Sequence, residues 1–495
     1  MVTDKDVSTI TELGVSRSYH EGEMTEDLQK TDARIYDKAA ERRLCRKLDM
    51  RILPFIAVSY LFCALDKGNI SNAKTDGLDK DLGMSASQWN IMLSIFYIPF
   101  VLFAFPITFI IKKYNAANVI PILMMCFGGL SLIATGVTNF GGIMAVRFLL
   151  GISESAFFPG IIYYLSTFYR RTELARRLSV FYAAANIANA FSGLLAFGVF
   201  QIKSHLHGWQ YLFLIEGACT VIFAAIAFLC LPRSPAEAKF LSQEEKDLAF
   251  YRIQTDSSAV VGEKINFKDT VKVFLHPVTI GWLFQELCLG VPLNSINNWF
   301  PQIVASLGKG TVQTNLYTVA PNVSGAVCLL ILAFASDYAR LRSVFIMTAF
   351  FLSLMGFAVF GAIDTQKHVG VAYFSCFLMT AGGSASSVLT STWYNNNTPG
   401  ETRRAVLSAV GIPLANAAGL ISANIFIDPP KYVTALGITA GFGGLGLIIC
   451  ACITLYMIFD NRRRNRLQGV KLTYQDVSTA VLADGPKNPQ FRWMY

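Results

Sequence analysis

The chain has 495 residues, 53% hydrophobic and only 15% charged, with a formal net charge of +9. A soluble protein carries roughly 25% charged residues, so the composition excludes an ordinary soluble enzyme. The positive balance does not indicate nucleic-acid binding, because the lysines and arginines fall in short loops between apolar stretches and not on one surface.

The first 50 or so residues are polar, mixed in charge and poor in aromatics, the composition of a disordered tail, and no cleavable signal peptide is visible. Apolar stretches of about 20 residues, each long enough to cross a bilayer, follow near 51–70, 89–111, 119–138, 142–168, 179–201 and 211–231. A hydrophilic stretch over 232–276, with Glu244, Glu245, Lys246 and Asp247, separates them from six more near 277–300, 315–336, 343–362, 370–392, 405–427 and 436–459. The expected units are a tail (1–50), a six-helix half (51–231), a linker (232–276), a second six-helix half (277–459) and a second tail (460–495). The fold class expected is an all-α integral membrane protein of twelve transmembrane helices.

Lys112, Lys113, Arg170, Arg171, Arg176, Arg177, Arg340, Arg342, Arg403, Arg404 and the run Arg462 to Arg466 mark one side as cytosolic. An even span number then places both termini, and the linker, in the cytosol. In each half a basic loop follows the second helix, at Lys112-Lys113-Tyr114 and at Asp337-Tyr338-Ala339-Arg340. Two such halves joined by a long loop are the layout of the major facilitator fold, whose central cavity lies near the bilayer midplane.

Ionisable residues inside these stretches are costly and mark substrate or ion pathways. Arg147 and Glu154 are seven residues apart in the apolar segment 141–168, two helical turns, and so share a face. Glu154 is the leading proton-carrying candidate and Arg147 the leading anion-binding one; a purely structural ion pair is the alternative. Asp66 and Lys67 close the first span, and adjacent helical residues do not face each other, so each requires its own partner. Lys67 reads equally well as a point charge for an anion or as a side chain snorkelling to the headgroups. Glu216 sits near a helix start, where a structural role at the N-terminal dipole is at least as good a reading. Glu286 lies deeper in the seventh span, where lining a cavity and carrying a proton are open to it.

Amides interrupt several spans: Asn186 and Asn189 in the fifth, Asn294, Asn297 and Asn298 in the seventh, Trp393 with Asn395, Asn396 and Asn397 at the end of the tenth, and Asn416 in the eleventh. Each binds ligand or glues helices together, the second being commoner. The candidate ligand-binding set is Arg147, Lys67, Asn69, Asn186, Asn294, Asn297, Trp393, Asn396 and Asn416, and the proton-coupling set is Glu154, Asp66 and Glu286. The absence of G-x-x-x-x-G-K-[ST] argues against ATP-driven pumping, and there is no H-E-x-x-H or C-x-x-C pair. No cofactor, metal or catalytic constellation is expected; the ten cysteines read as small apolar packers.

The first span matches Leu-Asp-Arg-x-Asn-Ile-x-Asn-Ala-Lys through Leu65, Asp66, Asn69, Ile70, Asn72, Ala73 and Lys74. The fourth matches Arg-x-x-x-Gly-x-x-Glu through Arg147, Gly151 and Glu154. With Phe168 to Leu174, Gly208 to Gly217, and Trp393, Asn396, Asn397, Gly400, Thr402, Arg403 and Arg404, the chain resembles the fungal allantoate permease family of the anion:cation symporters over about 45–465. The resemblance implies proton-coupled uptake of a small organic anion such as allantoate, nicotinate, pantothenate, biotin or a dipeptide. It also implies proton coupling at Glu154 and anion handling at Arg147. Lys67 departs from the pattern, which has arginine there, and lysine lacks arginine's planar bidentate fork.

The expected function is therefore symport of a small carboxylate with protons by alternating access, in a monomer spanning the plasma membrane, with no nucleic-acid partner. A passive uniporter shares the same fold and site. A non-transporting nutrient receptor, for which a long folded cytosolic domain is expected, is disfavoured by the short tails, and an enzyme by the lack of any catalytic grouping.

Overall fold

The computed structural model describes residues 38–202, 205–257, 274, 276–398, 401–429, 431–473, 485–486 and 488–495. The N-terminal tail before Lys38 and most of the expected linker beyond Ser257 lie outside the described residues. The described residues form helices and no strand.

The first half comprises α1 (Lys38–Thr75), a short α2 (Leu78–Asp81), α3 (Ala86–Tyr114), α4 (Ala116–Thr135), α5 (Phe140–Glu154), α6 (Phe157–Ser166), α7 (Arg171–Val199) and α8 (Gly208–Cys230). The linker contributes α9 (Gln243–Ser257). The second half comprises α10 (Pro277–Ala305), α11 (Thr311–Ala339), α12 (Arg342–Ala362), α13 (Val369–Asn397), α14 (Glu401–Ile425) and α15 (Val433–Gln468). With α5 and α6 forming one interrupted rod, these make twelve crossings in two sets of six. The start of α1 and the end of α15 then share one face, here called proximal; the opposite face is distal.

Local chemistry sets the helix ends. Ser85 and Gln88 form a reciprocal capping box at α3, Asn139 caps α5 by accepting from the Gly142 N–H, and Pro277 occupies the first turn of α10. α15 stops at Gly469, whose φ of 66° suits glycine. The expected single span over 142–168 is in fact broken between Glu154 and Phe157, with Pro159 in the first turn of α6. Proline has no N–H to return to the Ser155 carbonyl, so the ladder cannot run through.

Among the described residues, ten helices are long and apolar enough to span a bilayer, and α10 is not one of them. α10 is diluted by Gln285, Glu286, Asn294, Asn297 and Asn298. Large side chains such as Phe105, Leu229, Phe334 and Phe459 stay exposed around the outside, as a lipid-facing surface requires.

α1 begins at Lys38, well before the expected start near 51, because Leu44, Leu48, Ile52 and Ile56 continue one buried stripe at a four-residue spacing. α9 docks on the proximal end of the first half. Lys47 pairs with Glu245 at 2.7 Å, and the buried Arg252 lies 3.5 Å from Glu41 and pairs with Glu173. Burial alone would push the Glu245 carboxyl up, but Lys47 and the Ser242 N–H outweigh it and hold it below the usual carboxylate range. Residues 488–495 fold back on the proximal end of the second half. The Asn461 amide donates to the Trp493 carbonyl and accepts from its N–H, both at 2.9 Å. Asn397 clamps Met494 in the same way, at 2.8 Å in both directions.

Candidate functional site

α1 carries Asp66 and Lys67 into the interior in different directions, as adjacency on a helix requires. The Lys67 Nζ lies 3.4 Å from Glu154 Oε2 and 4.5 Å from the Phe100 ring centroid, so it points into the bundle and does not snorkel to a headgroup layer. Asp66 points toward α4 and accepts from the Ser131 hydroxyl. Its carboxylate neighbours that of Glu154. Asp66 Oδ2 and Glu154 Oε1 have no hydrogen-bond partner, and both are fully buried. Cys63 Sγ lies 3.7 Å from Glu154 Oε2.

Arg147 is on the same helix as Glu154 but about 10 Å away along its axis. It is 4% exposed and forms no hydrogen bond or ion pair among the described residues. Asp66, Glu154 and Glu216 surround it electrostatically. Glu216 is held by the Asn69 amide, and Asn69 accepts from Ser192 at 2.6 Å. Glu216 is thus part of the buried charge cluster, not a helix-start group. Its side chain points inward from the third turn of α8, and that rotation is set by packing against α1 and α4.

A cavity of about 190 Å³ opens beside this cluster, between the halves. One wall carries Tyr60, Lys67, Tyr97, Phe100, Arg147 and Glu154; the other carries Glu286, Asn294, Asn297, Asn298, Ser391 and Asn416. The volume lies below the roughly 300–1,000 Å³ typical of drug-sized ligand pockets, so only a small molecule fits.

The contacts joining the halves lie at mid-bundle and toward the distal face. Tyr97 donates to Asn294 Oδ1 at 3.1 Å and accepts from Asn298 Nδ2 at 2.8 Å, and its ring lies against Gly419. Gln302 donates to the Ser71 carbonyl at 2.6 Å, and Asn315 to the Thr75 hydroxyl at 3.0 Å. Lys74 lies between the Trp89 and Trp299 rings, at 4.5 and 4.3 Å. The cavity is therefore sealed on its distal side.

Of the residues singled out from the sequence, Lys67, Arg147, Glu154, Glu286, Asn294, Asn297 and Asn416 line this one cavity. Asp66 and Asn69 lie behind it, in the buried network. The Asn186 side chain lies outside the described residues. Trp393 and Asn396 are elsewhere: the Trp393 indole donates to the Met494 carbonyl at 2.8 Å, and Asn396 lies 3.5 Å from the Met494 sulfur. They serve the docked 488–495 segment because the last turn of α13 extends past the cavity to the proximal rim. Tyr97 was missed. One aromatic among many in α3 carries no periodic signal, and only its hydroxyl bonds across the bundle distinguish it. Among the described residues, no group of three or more histidine, cysteine or acidic residues is arranged to hold a metal ion.

Known proteins resemble this chain in sequence and in architecture. The profile of the Major Facilitator Superfamily matches residues 56–423. An uncharacterised transporter of Schizosaccharomyces pombe is 61% identical over 466 residues, covering 94% of this chain and 92% of its own length. The high-affinity nicotinic acid transporter of Saccharomyces cerevisiae is 29% identical over 463 residues, covering 92% and 85%. Among solved structures, the xylose transporter XylE of E. coli in a partially occluded inward-open conformation aligns with a TM-score of 0.64 at 14% identity. That alignment covers 81% of this chain and 96% of XylE, and shows the shared fold. Twelve crossings in two sixes, a central small-molecule cavity and these relatives lead to one conclusion: the chain belongs to the Major Facilitator Superfamily and is a membrane transporter of a small molecule, not an enzyme.

Proposed function

We propose that this transporter imports a small organic anion together with protons, by alternating access, as a monomer in the plasma membrane with both termini cytosolic. The observation that carries the reading is the Arg147 guanidinium, buried at the cavity wall and unpaired among the described residues, beside a lysine and three carboxylates. Arginine and Lys67 supply two positive charges; Asp66, Glu154 and Glu216 supply three negative ones when ionised. A net charge inside a bundle is expensive, so one proton shared within the cluster makes it neutral. A monoanion arriving at Arg147 upsets that balance, and one further proton restores it. Each anion is then accompanied by a proton, and the pair crosses without net charge. An anion alone entering a negative cell climbs about 2.3 kcal/mol per 100 mV.

Glu154, fully buried with its Oε1 unpartnered and Asp66 as a neighbour, is the natural holder of that proton, since a carboxylate is costly to bury ionised. With the proximal face taken as cytosolic, the distal seal reads as an inward-facing state. The nicotinic acid transporter among the relatives supports a carboxylate cargo, and the fungal anion:cation symporter pattern in α1 and α5 supports the proton.

The test is proton entry into proteoliposomes while nicotinate, allantoate, pantothenate, biotin and a dipeptide are added singly, with empty liposomes correcting for acid leak. Protein-dependent acidification with one acid, lost in Glu154→Gln, is the expected result. Saturable uptake with no proton movement would make the protein a uniporter. Arg147→Ala is expected to weaken binding of that acid at least about thirtyfold, since truncating one member of a buried charge contact costs about 2–5 kcal/mol.

A further inference from the structure

Glu286 stands across the cavity from the charge cluster and plays no part in its balance. It is 2% exposed, it lines the cavity, and its Oε1 has no hydrogen-bond partner. Ser391 lines the cavity with it, and Gly411 of α14 backs its side chain, a Cβ there lying 3.4 Å from Glu286 Cγ. The Tyr394 hydroxyl, also buried and unpartnered, lies behind the same glycine. No lysine or arginine forms an ion pair with Glu286 among the described residues. The cavity therefore has two unlike ends, one where the Arg147 guanidinium stands beside the Lys67–Glu154 pair and one acidic at Glu286, with Tyr60, Phe96 and Phe100 along its side.

A ligand filling this cavity removes the remaining water from Glu286. A plain anion with an apolar far end would leave a buried acid facing hydrocarbon with one oxygen unpaired, which is strongly disfavoured. We propose that the transported anion carries a basic nitrogen at the end remote from its carboxylate, and that Glu286 recognises it by sharing one proton with it. Either a carboxylate accepts from N–H⁺ or a carboxyl O–H donates to the nitrogen lone pair; the proton count is the same. The aromatic flank favours a flat ring between the two ends. Glu286 is then a specificity-determining residue, distinct from the Asp66–Glu154 proton site. This inference rests on the anion reading of the same cavity.

Matched acids test it on the purified full chain by isothermal titration: nicotinate against benzoate, and 4-(aminomethyl)benzoate against 4-ethylbenzoate. In at least one pair the nitrogen-bearing member is expected to bind ten times more tightly or better, and Glu286→Gln should narrow the ratio below about threefold while Arg147→Ala weakens both members alike. Equal affinity within both pairs overturns the inference, as does a preference that survives Glu286→Gln. Loss of proton coupling in Glu286→Gln with the preference intact assigns the residue to the proton path and also overturns it. If Glu286→Gln does not fold, the wild-type ratio decides alone. If none of the four acids binds while another acid of the transport panel drives proton entry, the inference fails and the anion reading stands; if no acid of either set is bound or carried, the anion reading fails first.

Discussion

Lys67 and Glu154 depend on each other. Glu154 sits where α5 stops, fully buried, and Lys67 is its one ion-pair partner among the described residues. Removing one member of a buried pair costs about 3–5 kcal/mol, because the other charge is left without compensation. Lys67→Met is therefore expected to lower the Tm of the purified protein by many degrees, while Lys67→Met with Glu154→Gln recovers most of that loss and still fails to couple protons. Thermal unfolding of the two variants side by side checks this; equal Tm values would mean the pair carries no mutual dependence. Sequence spacing correctly put Arg147 and Glu154 on one face. It did not reveal that Glu154 bonds to α1, because helical rise keeps the two apart and pairing across helices leaves no spacing signature.

At the scale of elements, the segment 488–495 is the least expected feature. It falls within the expected second tail (460–495), yet Phe491 and Trp493 are buried and two asparagines clamp its backbone. An amide that both donates to and accepts from one residue mimics a sheet partner, so its loss leaves a buried N–H and a buried C=O unpaired. Asn461→Ala is expected to cost about 1–3 kcal/mol and to expose Trp493. Limited proteolysis from the proximal side checks it, with faster cleavage near residue 490 as the expected outcome. The clamp ties α12, α13 and α15 together through the Arg342 N–H, Asn397 and Asn461. This keeps the proximal end of the second half rigid as a unit. The first half is braced independently by α9 through Arg252 and Glu245. Both braces leave the cavity between the halves unobstructed.

At the scale of the whole molecule, the distal seal rests on close approach. A Cβ on Gly419 of α14 would lie 2.3 Å from Tyr97 Cζ, and one on Gly193 of α7 would lie 2.4 Å from Thr318 Oγ1 of α11. The two glycines occupy equivalent crossings, α3 with α14 and α7 with α11, where one half touches the other. Overpacking such a contact costs about 1–3 kcal/mol, and a closed distal face bears that cost while an open one does not. Gly419→Ala is therefore expected to shift the population toward a distally open state and to raise thiol labelling of an Asn298→Cys reporter from the distal side roughly tenfold, about 1.4 kcal/mol. Unchanged labelling would show that Tyr97 is not part of the seal.

The amino-acid sequence by itself determined the number of crossings, their pairing into two sixes and the short set of ionisable residues that matter. These are local properties: an apolar run of about 20 residues either spans a bilayer or does not, and a charge inside such a run has no solvent to explain it. The tertiary structure alone decided which charges meet. It brought Lys67 to Glu154, placed Asp66 beside it, drew Glu216 into the cluster, left Arg147 open to the cavity and set Glu286 across from it. It also moved Trp393 and Asn396 out of the site and onto the docked segment. Helix rotation and depth govern those outcomes, and packing against neighbouring helices sets both, so no window of sequence contains them.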